Sequence, residues 1–209
     1  MRALIFCKSE SMTVPIEIKK EDFIICADSG AEYAWKCNAV PSLFVGDCDS
    51  FSKNTADKFN CEKIYLPQEK DCTDTFFAAE KALELGADEI IICGGLGGRL
   101  DHTLGNIATL RHIKSCGKKG FICDETSVVH YMCDNSKLLL PYSSSYEYIS
   151  VIALQKSFGV ELRDLKYPLD NYTLETDFPI GVSNEFLPGK DAYISLKKGE
   201  ILVILTLKN

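Results

Sequence analysis

The chain runs to 209 residues, 46% of them apolar, and carries a net charge of −7. That length and apolar content suit one large domain or two small ones and exclude a disordered chain. The acidic balance, with no clustered run of Lys and Arg, excludes nucleic acid as the main partner. The longest apolar runs, such as Ala3 to Cys7 and Ile201 to Leu207, are far shorter than the roughly 20 residues a membrane span needs.

Lys8, Ser9 and Glu10 cut off the first apolar run, so no signal-peptide core is expected and the chain is assigned to the cytoplasm. The ten cysteines are scattered without a C-x-x-C pair, several of them inside apolar runs. They read as reduced, mostly buried small side chains rather than as disulfides or a zinc site.

Arg2 to Cys7 is a continuous apolar run of the kind that forms a central parallel strand, and Asp22 to Ala27 repeats it. Asp28-Ser29-Gly30 follows the second strand, at the strand end where open α/β sheets bind ligands. Asp28 or Ser29 is equally suited to capping the next helix, which runs through Trp35. Leu43 to Val45 forms a short third strand ending in Gly46-Asp47-Cys48-Asp49-Ser50. Carboxylates at i and i+2 project to one side of an extended chain, a pattern suited to a shared magnesium ion and equally at home in a solvated turn.

Lys63 to Leu66 is a fourth strand, leading to Lys70-Asp71-Cys72-Thr73-Asp74 and a helix from about residue 75 to 85 stopped by Gly86. Asp71 or Thr73 serves as a natural N-cap, which leaves Lys70 and the remaining carboxylates unaccounted for. Glu89 to Cys93 is the fifth strand. It feeds Gly94-Gly95-Leu96-Gly97-Gly98-Arg99-Leu100-Asp101-His102, ahead of a helix from about Thr103 to Cys116, and Gly120 to Cys123 is a sixth strand. Four glycines in five positions let main-chain N–H groups approach a ligand closely. With Arg99 and a helix start beside them, they point to a phosphate-bearing ligand. The loop matches neither the P-loop nor the Rossmann fingerprint.

Strand alternates with helix through this half, predicting an N-terminal doubly wound, mostly parallel sheet. Beyond about residue 130 the texture shifts to short alternating segments: 137–140, 148–154, 159–162, 172–174, 181–186, 191–196 and 199–207. Pro, Gly, Asp and Asn punctuate them, so a C-terminal antiparallel β-sandwich is expected. The domains are drawn at 1–130 and 131–209.

Taken in order, Asp28-Ser29-Gly30, Gly-Asp-x-Asp-Ser at 46–50, Lys-Asp-x-Thr-Asp at 70–74 and Gly-Gly-Arg-x-Asp-His at 97–102, followed by a β-domain, resemble the thiamin pyrophosphokinase family over nearly the whole chain. The resemblance implies transfer of the β,γ-diphosphate of ATP to the hydroxyl of thiamin, giving thiamin diphosphate and AMP. It implies an α/β domain that binds ATP and magnesium, and a β-domain that binds thiamin and dimerises, with sites formed between the subunits of a homodimer. By position, Asp47, Asp49 and Asp74 resemble the magnesium carboxylates, Lys70 a phosphate contact, and Asp101 an aspartate near the reacting groups. Asp28, Ser29, Gly30, Thr73, Gly94, Gly95, Gly97, Gly98, Arg99 and His102 would hold ATP, and Ser183 and Asn184 would contact thiamin. Ser29 and Cys48 depart from the usual pattern without removing a functional group. Some relatives stack thiamin on a tryptophan of the β-domain, whereas the single Trp here, Trp35, falls in the α/β domain and is expected in its core. Rival readings are a transferase acting on a different alcohol and a sensor that binds without turnover.

Overall fold

The computed structural model describes residues 1–46, 59–67, 69 and 71–208. They form two compact units, Met1–Glu125 and Thr126–Asn209. The first contains β1 (Arg2–Phe6), β2 (Phe23–Ala27), α1 (Gly30–Lys36), β3 (Leu43–Gly46), β4 (Glu62–Tyr65), α2 (Asp74–Glu84), β5 (Glu89–Cys93), α3 (Leu100–Ser115) and β6 (Lys119–Cys123).

The strands pair in parallel in the order β4-β3-β2-β1-β5-β6. In β1, β2 and β5 every residue after the first is buried, as expected of strands covered on both faces. The two faces carry different helices. Phe6 meets Tyr33 of α1 edge-on at 5.3 Å, and the next residue, Cys7, turns to the other face, its Sγ 3.2 Å from Thr75 Oγ1 of α2. The sheet is therefore doubly wound.

Helix ends follow local chemistry. Thr73 Oγ1 accepts the Phe76 N–H at 3.2 Å and caps α2. Asn38, Gly86 and Gly117 take positive φ directly after α1, α2 and α3. Behind them the N–H groups of Ala39, Ala87 and Lys118 reach back to the carbonyls of Ala34, Ala82 and Ile113, so all three helices close with a Schellman turn.

Two expectations fail in this unit. Helix α3 begins at Leu100, because the extended backbone of Arg99 already serves as its N-cap, and this brings Asp101 and His102 into the first turn. Trp35 is 51% exposed rather than core. The inward positions of α1 are filled by Ala31, Tyr33 and Ala34, leaving the indole on the outside with its ring edge-on to Phe59 at 5.6 Å.

The second unit holds β7 (Ser127–Cys133), β8 (Ser136–Leu140), β9 (Tyr146–Ala153), β10 (Ser157–Arg163), β11 (Leu169–Leu174), β12 (Ala192–Leu196) and β13 (Glu200–Leu207). They pair as two antiparallel groups, β7-β13-β9 and β11-β10-β12-β8. Ala192, Ile194 and Leu196 point inward from β12 while Tyr193 and Ser195 do not, the period-2 signature of a sheet with one covered face. Strand β7 was not anticipated, since its residues straddle the expected domain boundary. The segment 181–186 is not a strand. Ser183 takes φ 59°, which interrupts the extended chain, and only isolated bridges of Asn184 to Ile149 and Phe186 to Leu165 remain.

Candidate active site

The strand order creates one crevice. From β1 the chain steps outward through β2, β3 and β4, then returns through α2 to β5 on the other side of β1. The loops after β1 and β5 therefore leave the sheet in opposite directions, the arrangement that opens a ligand site at the carboxyl ends of the strands. The two loops touch there: a Cβ on Gly94 would sit 3.1 Å from Ser9 Cβ and 3.3 Å from the Cys7 carbonyl oxygen.

Gly94, Gly95, Gly97 and Gly98 all have positive φ, between 64° and 80°. The Gly94 N–H bonds the Cys123 carbonyl, whereas the N–H groups of Gly95, Leu96, Gly97 and Gly98 meet no acceptor among the described residues. Consecutive unpaired N–H groups on such a backbone form an anion-binding nest. At its end the Arg99 guanidinium makes two hydrogen bonds to Asp101, 3.2 Å and 2.6 Å long, and Asp101 Oδ1 also accepts the His102 N–H at 3.1 Å. The Arg99 hydrogen bond is the main reason the Asp101 carboxyl lies below the usual carboxylate range, and the same contact raises Arg99. Both side chains are well exposed, so an arriving phosphate can share the guanidinium.

On the neighbouring strand ends, Asp28 follows β2 with φ 48°, its N–H bonded to the Val45 carbonyl at 2.7 Å. Its Oδ1 is buried and has no hydrogen-bond partner among the described residues. A buried carboxylate oxygen left without a donor is costly unless a cation or ligand meets it. Gly46 permits the close approach: a Cβ there would lie 3.1 Å from Asp28 Cα. Gly30 is equally constrained, since a Cβ would sit 1.9 Å from the Phe6 carbonyl oxygen. Ser29 is the N-cap residue of α1, but its side chain makes no capping bond, so neither Asp28 nor Ser29 is spent as a side-chain cap.

Asp74 opens α2 behind its Thr73 cap. Its charge reaches Cys7 at the end of β1, where burial, helped by Asp74, pushes the thiol up to about 12 against the Thr75 hydrogen bond. Cys7 is therefore a packing residue, not a nucleophile. Asp47, Asp49 and Lys70 lie outside the described residues. The carboxylates that are described, Asp28, Asp71 and Asp74, offer hard oxygen donors near the same sheet edge, and the orphaned Asp28 oxygen fits a magnesium-dependent site. No three metal-ligating side chains converge among the described residues.

Ser183 and Asn184 belong to the second unit. Asn184 is buried and its amide makes three hydrogen bonds: Oδ1 accepts the N–H groups of Tyr167 and Glu185, each at 2.9 Å, and Nδ2 donates to the Tyr167 carbonyl at 2.7 Å. The exposed Ser183 donates its N–H to Ser150 Oγ. Nearby, an open cleft of about 330 Å³ is lined by Tyr142, Tyr146, Tyr148, Phe186, Glu147 and Glu185, with Lys208 at its wall. Two residues of the first unit escaped the sequence reading, Ser9 beside Gly94 and Asn106 beneath Gly95. The one available signal for Asn106 was its position four residues after His102, on the same face of the helix.

An open parallel sheet with a glycine loop and carboxylates at its switch point, joined to an all-β unit, defines an α/β protein with a second, β-rich domain. Comparison with known sequences makes this specific. The family model "Thiamin pyrophosphokinase, catalytic domain" matches residues 15–121, and "Thiamin pyrophosphokinase, vitamin B1 binding domain" matches residues 137–201. The chain belongs to the thiamin pyrophosphokinase family.

A thiamine pyrophosphokinase of Bacillus subtilis is 28% identical over 184 residues, spanning 86% of this chain and 85% of the relative. Among solved structures, a thiamine pyrophosphokinase from the same organism superposes with a TM-score of 0.86 at 23% identity, covering all of both chains. A thiamin pyrophosphokinase family protein from Enterococcus faecalis gives 0.81 at 26% identity, covering 100% of this chain and 99% of the other. The former shares the fold; the sequence matches carry the family.

Proposed function

We propose that the chain transfers the β,γ-diphosphate of ATP to the hydroxyl of thiamin, yielding thiamin diphosphate and AMP. The observation that carries this reading is the run of four N–H groups at the sheet's switch point with no acceptor among the described residues, flanked by Arg99, Asp101 and the buried Asp28 oxygen. In this reaction the thiamin hydroxyl oxygen attacks the β-phosphorus, the bond from that phosphorus to the AMP oxygen breaks, and the hydroxyl proton is released. Chemistry of this kind asks the protein for positioning and charge rather than for a nucleophile, consistent with a site built of glycines and carboxylates.

The nest holds phosphate oxygens, and Arg99 adds a bidentate donor. Asp101 orients the hydroxyl or takes up its proton. Asp47, Asp49 and Asp74 would hold magnesium, which when bound offsets phosphate charge, and Lys70 would contact the transferred group. The β-rich unit takes thiamin and dimerises in this reading. Its cleft offers aromatic faces and carboxylates to a cationic ring, and the buried amide of Asn184 acts by holding the Tyr167 and Glu185 backbone in place. Nine free cysteines among the described residues favour a reducing, cytoplasmic setting.

The test is incubation of purified protein with thiamin, ATP and magnesium, followed by chromatography. Equal amounts of AMP and thiamin diphosphate support the reading. ADP with thiamin monophosphate overturns the reaction assigned, and binding of thiamin without turnover favours a sensor.

A further inference from the structure

The Asn106 side chain sits beneath the glycine loop, with the residue only 4% exposed. It comes from the second turn of α3, and its Nδ2 donates to the Gly95 carbonyl at 2.8 Å, the one side-chain hydrogen bond it makes among the described residues. A Cβ on Gly95 would fall 2.4 Å from that nitrogen, so a glycine is required for the amide to reach the carbonyl.

The peptide from Gly95 to Leu96 is trans, as all described peptides are. In a trans peptide the C=O and N–H point in opposite directions. With the Gly95 oxygen drawn down onto Asn106, the Leu96 N–H is turned away from Asn106, and it is one of the four loop donors without an acceptor among the described residues. Gly95, with no Cβ, puts little restraint on its own side of this peptide, so the Asn106 hydrogen bond joins the φ preference of Leu96 in fixing which way the donor faces. A carbonyl facing the crevice would repel a phosphate.

We propose that Asn106 is a positioning residue for nucleotide binding: it latches the Gly95–Leu96 peptide so that the Leu96 N–H faces the phosphates of ATP. Asn106 itself does not touch the nucleotide. This rests on the reading of the loop as the ATP site given above.

The test uses the full-length Asn106→Asp and Asn106→Ala variants, with ATP and thiamin dissociation constants measured separately at pH 8 and pH 5.5 against wild type. Both variants should bind ATP about tenfold or more weakly at pH 8, the scale of a lost buried hydrogen bond, with thiamin binding unchanged. An ionised carboxylate cannot donate to the Gly95 oxygen, whereas a protonated one can, and burial raises a carboxyl into reach of pH 5.5. Asn106→Asp should therefore recover to within about threefold of wild type at pH 5.5, while Asn106→Ala should not.

A merely structural role would weaken both ligands and show no such recovery. Wild-type ATP affinity in Asn106→Ala, or equal loss of ATP and thiamin binding, overturns the latch. If neither variant folds, Gly95→Ala carries the same expectation, selective loss of ATP binding, and an unaffected Gly95→Ala overturns the proposal. Failure of the wild type to bind ATP would instead overturn the reading of the site, which separates the two.

Discussion

Arg99 and Asp101 face each other across 2.6 Å at the start of α3, both more than half exposed, with the glycine nest directly before them. An ion pair in that setting contributes little to stability, so its placement points to function. The Arg99 hydrogen bond holds the carboxyl below its ordinary value, so whatever it contributes is present in full above the ordinary value and is lost as pH falls through the lowered one. Asp101→Asn should lower turnover by about a hundredfold or more and leave the melting temperature nearly unchanged. A steady-state assay beside a thermal melt checks both, and near-normal turnover would remove Asp101 from the reaction.

Asp28→Asn tests the orphaned oxygen. Without magnesium the variant should keep wild-type stability to within about 1 kcal/mol, because the amide has the shape of the carboxylate it replaces. Adding magnesium and ATP should raise the melting temperature of the wild type and have a much smaller effect on the variant. Equal stabilisation of both would show that Asp28 meets neither.

Gly30→Ala inverts the usual helix rule. Alanine is ordinarily the better helix former, but here its methyl group would press on the Phe6 carbonyl oxygen. The backbones of α1 and β1 would have to separate, and a loss of about 3 kcal/mol or more is expected. Urea unfolding measures it; a stabilised variant would mean that α1 and β1 do not pack this closely in solution.

His130 in β7 supplies a pH dependence of the second unit. Burial lowers its pKa to about 4, from an ordinary 6.5. The unfolded chain binds the proton more readily, so the folded form is favoured in full above pH 6.5 and loses ground as pH falls toward 4. Between pH 7.5 and pH 4.5 the loss is on the order of 2–3 kcal/mol by linkage. His130→Gln should flatten that part of the stability profile in urea titrations, and an unchanged slope would rule the histidine out as its source.

Much of the fold was legible because its signals are local. The apolar runs at 3–7, 23–27 and 89–93 could only be covered strands, and Gly86 marked the end of α2 by its position alone. The four glycines at 94, 95, 97 and 98 announced a backbone other residues avoid, and all four take positive φ. What escaped depends on distant partners. Asn106 matters through a carbonyl eleven residues back, and no pattern of neighbouring residues reveals a buried amide. Trp35 was misjudged because three smaller neighbours on α1 already fill the inward face. The segment 181–186 has strand-like composition, yet Ser183 bends it out of a ladder.

The pairing of β1 with β5 brings Arg2 against Glu89, and the Met1 ammonium onto Asp88, 87 positions along the chain. During synthesis β1 must therefore wait, with one long apolar edge open, until the fifth strand has left the ribosome. Closing so long a segment adds only slightly to the entropy cost over a shorter one, but it delays completion of the sheet. A nascent chain stalled between β4 and β5 would leave the β5-facing edge of Ala3 to Phe6 open as a template for aggregation, which makes this interval the stage at which a chaperone has most to protect.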